Sequence, residues 1–199
     1  MKIIDNYENG LYLAPSKIQE AGVGLFTSKG IPEGIPICEY KGDVFDEPER
    51  VNDDKRYDYT LAYGFGGALA LYTLQHPNLK GVVDCQPWHT KSLIGLGGFA
   101  NDVLGYKGRM SKKHKETSQE VQSSKEWLVE NGFNCEFWPM PNEIKFIGNS
   151  LRNILPGEEI YASYGDEYWQ LWIKAIEKNP NHFTDMQKQN QKDNSKKEK

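Results

Sequence analysis

The sequence predicts a β-rich α+β domain of several small sheets, with a helix near its C-terminal end. Three observations predict it. Short runs with strand character, residues 22–27, 35–40, 57–63 and 81–84, are separated by glycine and proline turns through the first half. A second strand-like pair, 134–140 and 144–147, flanks Pro139, Pro141 and Asn142, the composition of a hairpin turn. Finally, Tyr168, Leu171, Trp172, Ala175 and Ile176 recur at helical spacing after Asp166, which can cap a helix, and before Asn179-Pro180, which ends one.

Two turn sequences, Gly30-Ile31-Pro32-Glu33-Gly34 and Leu155-Pro156-Gly157-Glu158, occupy similar positions in the two halves and lead into strands. Residues 107–126 are rich in lysine, glutamate, serine and glutamine and almost free of apolar side chains. Such a composition cannot build a core, so an exposed insertion is expected, partly helical towards Trp127 and Leu128. Residues 1–180 are expected to form one domain, and the polar tail 181–199, with nothing to bury, to be disordered.

At 199 residues and 38% hydrophobic content, the chain suits one medium domain with one core. No apolar run approaches the length of a membrane span, and Met1-Lys2-Ile3-Ile4-Asp5-Asn6 breaks into polar residues before a signal-peptide core could form. An intracellular protein without a membrane segment is expected. Cys38, Cys85 and Cys135 are far apart and odd in number, which fits small buried hydrophobes better than a disulfide or a zinc pair. His76, His89, His114 and His182 show no metal-ligand spacing, and Ser163 has no base nearby in sequence, so no metal and no nucleophilic serine is expected. The net charge of -4 is uneven: the tail is net positive and the body correspondingly more acidic. An acidic body argues against a nucleic-acid binder, the tail offering at most weak contact.

Four segments carry the functional signal: Gly22-Val23-Gly24-Leu25-Phe26, Glu39-Tyr40-Lys41-Gly42-Asp43, Gly98-Phe99-Ala100-Asn101-Asp102, and Gly157-Glu158-Glu159-Ile160-Tyr161-Ala162-Ser163-Tyr164-Gly165. Each has an ordinary reading when taken alone. Two spaced glycines make a turn, an asparagine bonds its own backbone, and a tyrosine at a strand end packs its ring with its hydroxyl at the surface. The glycine pair is not a dinucleotide fingerprint, because no third glycine follows at the right spacing and no βαβ pattern surrounds it. In this order, over roughly residues 13–172, the four segments resemble the signature of the SET-domain family of protein lysine methyltransferases.

That resemblance implies a β-clip-like fold in which the closing segment passes the asparagine segment in a pseudoknot-like crossing. It implies S-adenosylmethionine as cofactor, lying against Gly22, Val23 and Gly24 and held by Asn101. It also implies a lysine-bearing protein or peptide as substrate, a histone being one possibility. The family's Asn-His-Ser motif is Asn101-Asp102-Val103 here, and Asp102 is carried over to the cofactor site beside Asn101. Tyr164 matches the tyrosine of the closing motif and is carried over both to the cofactor site and to the lysine channel, with Tyr40 and Phe137 the candidates for the channel's other walls. Phe137 is read equally well as core packing. In the channel reading, a phenylalanine there implies room for higher methylation states, and Ala162 is too small to narrow the space. No cysteine-rich segment follows the closing motif, which leaves Trp169, with Trp172, to cover the cofactor's adenine by stacking. Both tryptophans could instead be core residues.

The implied chemistry is in-line methyl transfer to a neutral lysine amine. A free lysine titrates at about 10.4, and a narrow aromatic channel favours its uncharged form by desolvation. The competing reading is a SET-derived module that binds a peptide or partner without turnover, and Asp102 and Val103 are the departures that keep it open. A small all-β carbohydrate- or nucleic-acid-binding domain fits the acidic body and scattered aromatics poorly. Oligomeric state is not legible in the sequence.

Overall fold

The computed structural model describes residues 10–19, 21–40, 43–45, 73–75, 82–84, 96–109, 111–143, 145–166 and 168–169. The strand expected at 57–63, most of the closing helix, Cys85, His76, His89, His182 and the tail lie outside the described residues.

Nine strands make three small sheets among the described residues. The first contains β1 (Leu11–Pro15), β2 (Val23–Thr27) and β9 (Glu159–Ile160), in the order β1-β2-β9 and antiparallel throughout. The second contains β3 (Pro36–Tyr40), β7 (Cys135–Pro139) and β8 (Phe146–Ser150), in the order β3-β8-β7. The third contains β4 (Asp43–Phe45), β5 (Thr73–Gln75) and β6 (Val82–Asp84), in the order β4-β6-β5. Small antiparallel sheets with few and short helices agree with a β-rich α+β fold.

The expected strands at 22–27, 35–40 and 81–84 appear as β2, β3 and β6, and the hairpin as β7 and β8. Pro139, expected in its turn, ends β7 opposite Phe146, and the turn closes through Met140 N–H on the Lys145 carbonyl at 2.9 Å. β1 had no counterpart among the expected strands. It is fixed by tertiary pairing, with Tyr12 opposite Phe26 and the two rings stacked at 5.5 Å.

The first turn sequence is bonded to the residue just before the second. Ile31 and Ile154 exchange backbone hydrogen bonds of 2.9 Å, both side chains being buried. Gly157 takes φ +80°, a conformation that costs a side-chain-bearing residue, and its N–H reaches the Thr27 carbonyl. Burial opposes ionisation of Glu158, but hydrogen bonds from Arg152 and Leu155 N–H outweigh it and hold the carboxyl below its ordinary range.

Leu25, Ile37, Leu96, Ala100, Cys135 and Ala162 belong to one buried cluster that joins the first two sheets to the 3₁₀ turn Leu96–Phe99. Cys38 and Cys135 are buried free thiols, as expected of small hydrophobes; burial pushes Cys38 up to about 12 and Cys135 well above its ordinary value.

Asn134, 1% exposed, ties the closing segment to β7. Its Nδ2 donates to the Glu159 carbonyl and its Oδ1 accepts from Tyr161 N–H, both at 2.8 Å. Asn134→Ala leaves both backbone groups without these partners, and we expect a loss of about 2–6 kcal/mol, at 1–3 for each buried unpaired group. Denaturant unfolding checks this, and an unchanged midpoint would be the contrary result.

Four short helices occupy the segment expected to be an exposed insertion: α1 (Gly105–Arg109), α2 (Lys112–Lys115), α3 (Gln119–Gln122) and α4 (Lys125–Glu130). Ser118 and Ser124 cap the last two, their hydroxyls accepting from Val121 and Trp127 N–H. Trp127 and Leu128 pack with Phe133 and Leu151 in a second cluster. Most of residues 107–126 are exposed, but Arg109 and His114 are buried at 3% and 5%. A segment poor in apolar residues is therefore tied inward through charge and hydrogen bonds.

Candidate active site

Residues 159–162 lie among three neighbours. Ile160 pairs with Leu25 of β2, Tyr161 forms a parallel bridge with Asn101, and Ala162 forms one with Cys135. Ala162 N–H donates to the Asn101 carbonyl at 3.0 Å. Sequence positions far apart, 22–24, 101–102 and 159–164, thereby meet.

Glu159 organises this meeting, although sequence reasoning gave it no role beyond the motif. Its side chain is 1% exposed, with Oε1 accepting from Ser16 Oγ at 2.6 Å and Asn101 Nδ2 at 3.1 Å. Its Oε2 accepts from Lys17 N–H at 2.7 Å and the Tyr161 hydroxyl at 2.9 Å. Four donors on a buried carboxylate satisfy the charge by hydrogen bonding. Burial first, and the Glu159 carboxylate after it, push the Tyr161 phenol up, so it remains a donor. Gly24 makes room for this carboxylate: a Cβ there would lie 2.7 Å from Glu159 Cδ. The close approach that the glycine permits is thus to Glu159 and Asn101, while Gly22 and Val23 are exposed.

Asn101 is held in one orientation. Its Nδ2 donates to the Val23 carbonyl and to Glu159, each at 3.1 Å. Its Oδ1 accepts nothing among the described residues, and the residue is part-exposed. An open amide oxygen beside Gly22-Val23-Gly24 can accept a hydrogen bond from a donor such as an ammonium group.

Asp102 has no exposed side-chain surface. Oδ1 accepts from Leu104 and Gly105 N–H, at the start of α1. Oδ2 accepts from Arg109 at 3.0 Å, Tyr164 N–H at 3.1 Å and the Trp169 indole at 3.0 Å. Its carboxylate is engaged with the protein itself.

The Tyr164 hydroxyl donates to the Ala100 carbonyl at 3.1 Å, and its ring stacks on Trp169 at 6.2 Å and 16°. Trp169 is 8% exposed, with Tyr168 edge-on to it at 5.0 Å. Tyr40 and Phe137 meet edge to face at 5.3 Å. Phe137 packs against the cluster that contains Ala100, while Tyr40 is buried. Asn101, Asp102, Tyr164 and Trp169 form one connected group with Gly24, and Tyr40 and Phe137 contact each other. Asp166, expected as a helix cap, turns its Oδ1 to Arg109 at 3.2 Å and His114 at 2.7 Å.

The SET-domain family model matches residues 22–165, most of the chain and all four segments. The chain belongs to the SET-domain family. SET domains are in general protein lysine methyltransferases, typically using S-adenosylmethionine, so a lysine-bearing protein is the general class of substrate. Comparison with curated proteins returned no matching relative. Within this SET domain, sequence reasoning missed Glu159, Arg109 and Asn134 as the residues that hold the site together. Glu159 stood in the motif, but its function depends on a register across β2 that spacing does not reveal.

Proposed function

We propose that the chain is an S-adenosylmethionine-dependent protein lysine N-methyltransferase acting inside the cell on a lysine of a histone or another protein. The observation that carries this reading is Asn101, whose Nδ2 is spent on Val23 and Glu159 and whose Oδ1 remains an acceptor. Gly22, Val23, Gly24 and Asn101 would hold the cofactor, and Trp169 would border it. Asp102 acts on the same site through the protein groups it binds. S-adenosylmethionine supplies, when bound, a methyl group activated by its sulfonium.

The chain's own residues prepare the nucleophile. Tyr164, Tyr40 and Phe137 would wall the lysine channel, where exclusion of water disfavours the ammonium form and alignment converts binding into rate. The pseudoknot-like crossing belongs to this proposal, and the bridges from Tyr161 to Asn101 and from Ala162 to Cys135 support it.

Asn101→Ala is expected to weaken S-adenosylmethionine binding by about tenfold or more, the effect of losing a hydrogen bond to a charged group. Calorimetric titration of the cofactor and its demethylated product into both proteins tests the reading. Binding by the wild type, weakened in the variant, supports the enzyme. Absence of binding to either ligand would favour a SET-derived interaction module.

A further inference from the structure

Asp102 stands one residue after Asn101, where the family motif carries histidine, and its partner Arg109 comes from the polar segment whose composition predicts an exposed insertion. Asp102 and Arg109 side chains are 0% and 3% exposed, so the carboxylate depends on protein donors for its charge. Its Oδ2 receives the backbone N–H of Tyr164 as well as the Trp169 indole. Arg109 extends this grip to both sides of Tyr164. Its NH2 reaches Ser163 Oγ at 2.5 Å, its NH1 reaches Asp166 Oδ1 at 3.2 Å, and its guanidinium lies 5.6 Å from the Phe133 ring centre.

The same backbone that carries Asp102 carries Asn101, which is bonded to Ala162 two residues before Tyr164. Arg109 Nε and His114 Nδ1 are buried without partners. What the network does achieve is a fixed relation between residues 101–102 and 163–166.

The geometry points to Asp102 and Arg109 as paired positioning residues that set Tyr164 against Asn101. This rests on the methyltransferase reading above, and it makes the segment 105–117 part of what defines the reaction centre. Neither residue touches the reacting atoms. Each acts through Tyr164 and its neighbours.

The test is steady-state kinetics of Arg109→Met and Arg109→Lys beside the wild type, together with the Trp169 indole N–H resonance, assigned by Trp169→Phe. Lys113→Ala, exposed on the same segment, is the control for surface effects. Loss of the fork should lower kcat by about a hundredfold, the scale of a small misplacement at a reaction centre, with KM for the lysine substrate little changed. Arg109→Lys keeps the charge and should recover part of the loss. The indole resonance should move in Arg109→Met, because the acceptor it shares with the guanidinium is disturbed.

Folded Arg109→Met with unchanged kcat overturns the proposal. Should Arg109→Met not fold, Asp166→Asn, at a site 37% exposed, must lower kcat in the same direction, and unchanged kcat there is equally fatal. A wild type that binds cofactor but transfers no methyl group removes the methyltransferase reading separately. The indole resonance then decides the pairing, a shift upholding it and no shift overturning it.

Discussion

Gly24→Ala is expected to abolish cofactor binding and to destabilise the domain by about 3–5 kcal/mol, the range for breaking the partners of a buried charge. The added methyl would lie 2.7 Å from Glu159 Cδ and 3.3 Å from Asn101 Nδ2. Neither neighbour can give way cheaply. Glu159 is fixed by Ser16, Lys17, Asn101 and Tyr161, and moving it to clear the methyl would break several of those bonds together. Asn101 would lose the acceptor that fixes its orientation. Chemical unfolding and cofactor titration measure the two effects. A variant of wild-type stability with normal affinity would show that Glu159 does not hold the site.

Tyr164→Phe is expected to reduce kcat by about a hundredfold or more while leaving cofactor affinity nearly unchanged, because orientation at the reaction centre controls rates on that scale. The change removes a hydroxyl that bonds the Ala100 carbonyl. It leaves in place the backbone bond to Asp102 and the ring's stacking on Trp169. Stability should fall by only about 1 kcal/mol, the usual net value of one hydrogen bond, so unfolding cannot account for the loss. Turnover equal to the wild type would remove Tyr164 from the mechanism. The two variants separate binding from chemistry, since the first acts on the Gly24–Asn101–Glu159 group and the second on the tyrosine alone.

Much of the sheet structure was legible because glycine and proline punctuate it. β2, β3, β6 and the β7–β8 hairpin lie where turn residues bracket apolar runs. β1 was not legible, since Leu11–Pro15 becomes a strand through pairing with β2, a tertiary event. The site divides in the same way. Asn101 and Tyr164 could be found from motif order, whereas their supports could not. Arg109 and His114 sit in a segment with no hydrophobic period; Asp102 and Asp166 bond them, and the rings of Phe133 and Trp127 lie against them. Asn134 looks like any polar residue before a strand until its two bonds to residues 159 and 161 are seen. Trp169, expected to border adenine, is fixed by Asp102, a bond that spacing does not encode.

The proposed activity is transfer of a methyl group by this SET domain onto a lysine amine of another protein. Incubation of the purified chain with methyl-labelled S-adenosylmethionine and mixed histones or cell lysate, followed by mass spectrometry of the labelled residue, tests it most directly. Label on a lysine side-chain nitrogen is expected with the wild type, and its near-complete loss with Tyr164→Phe. Cofactor bound but no label on any protein, or equal labelling by both proteins, would contradict it.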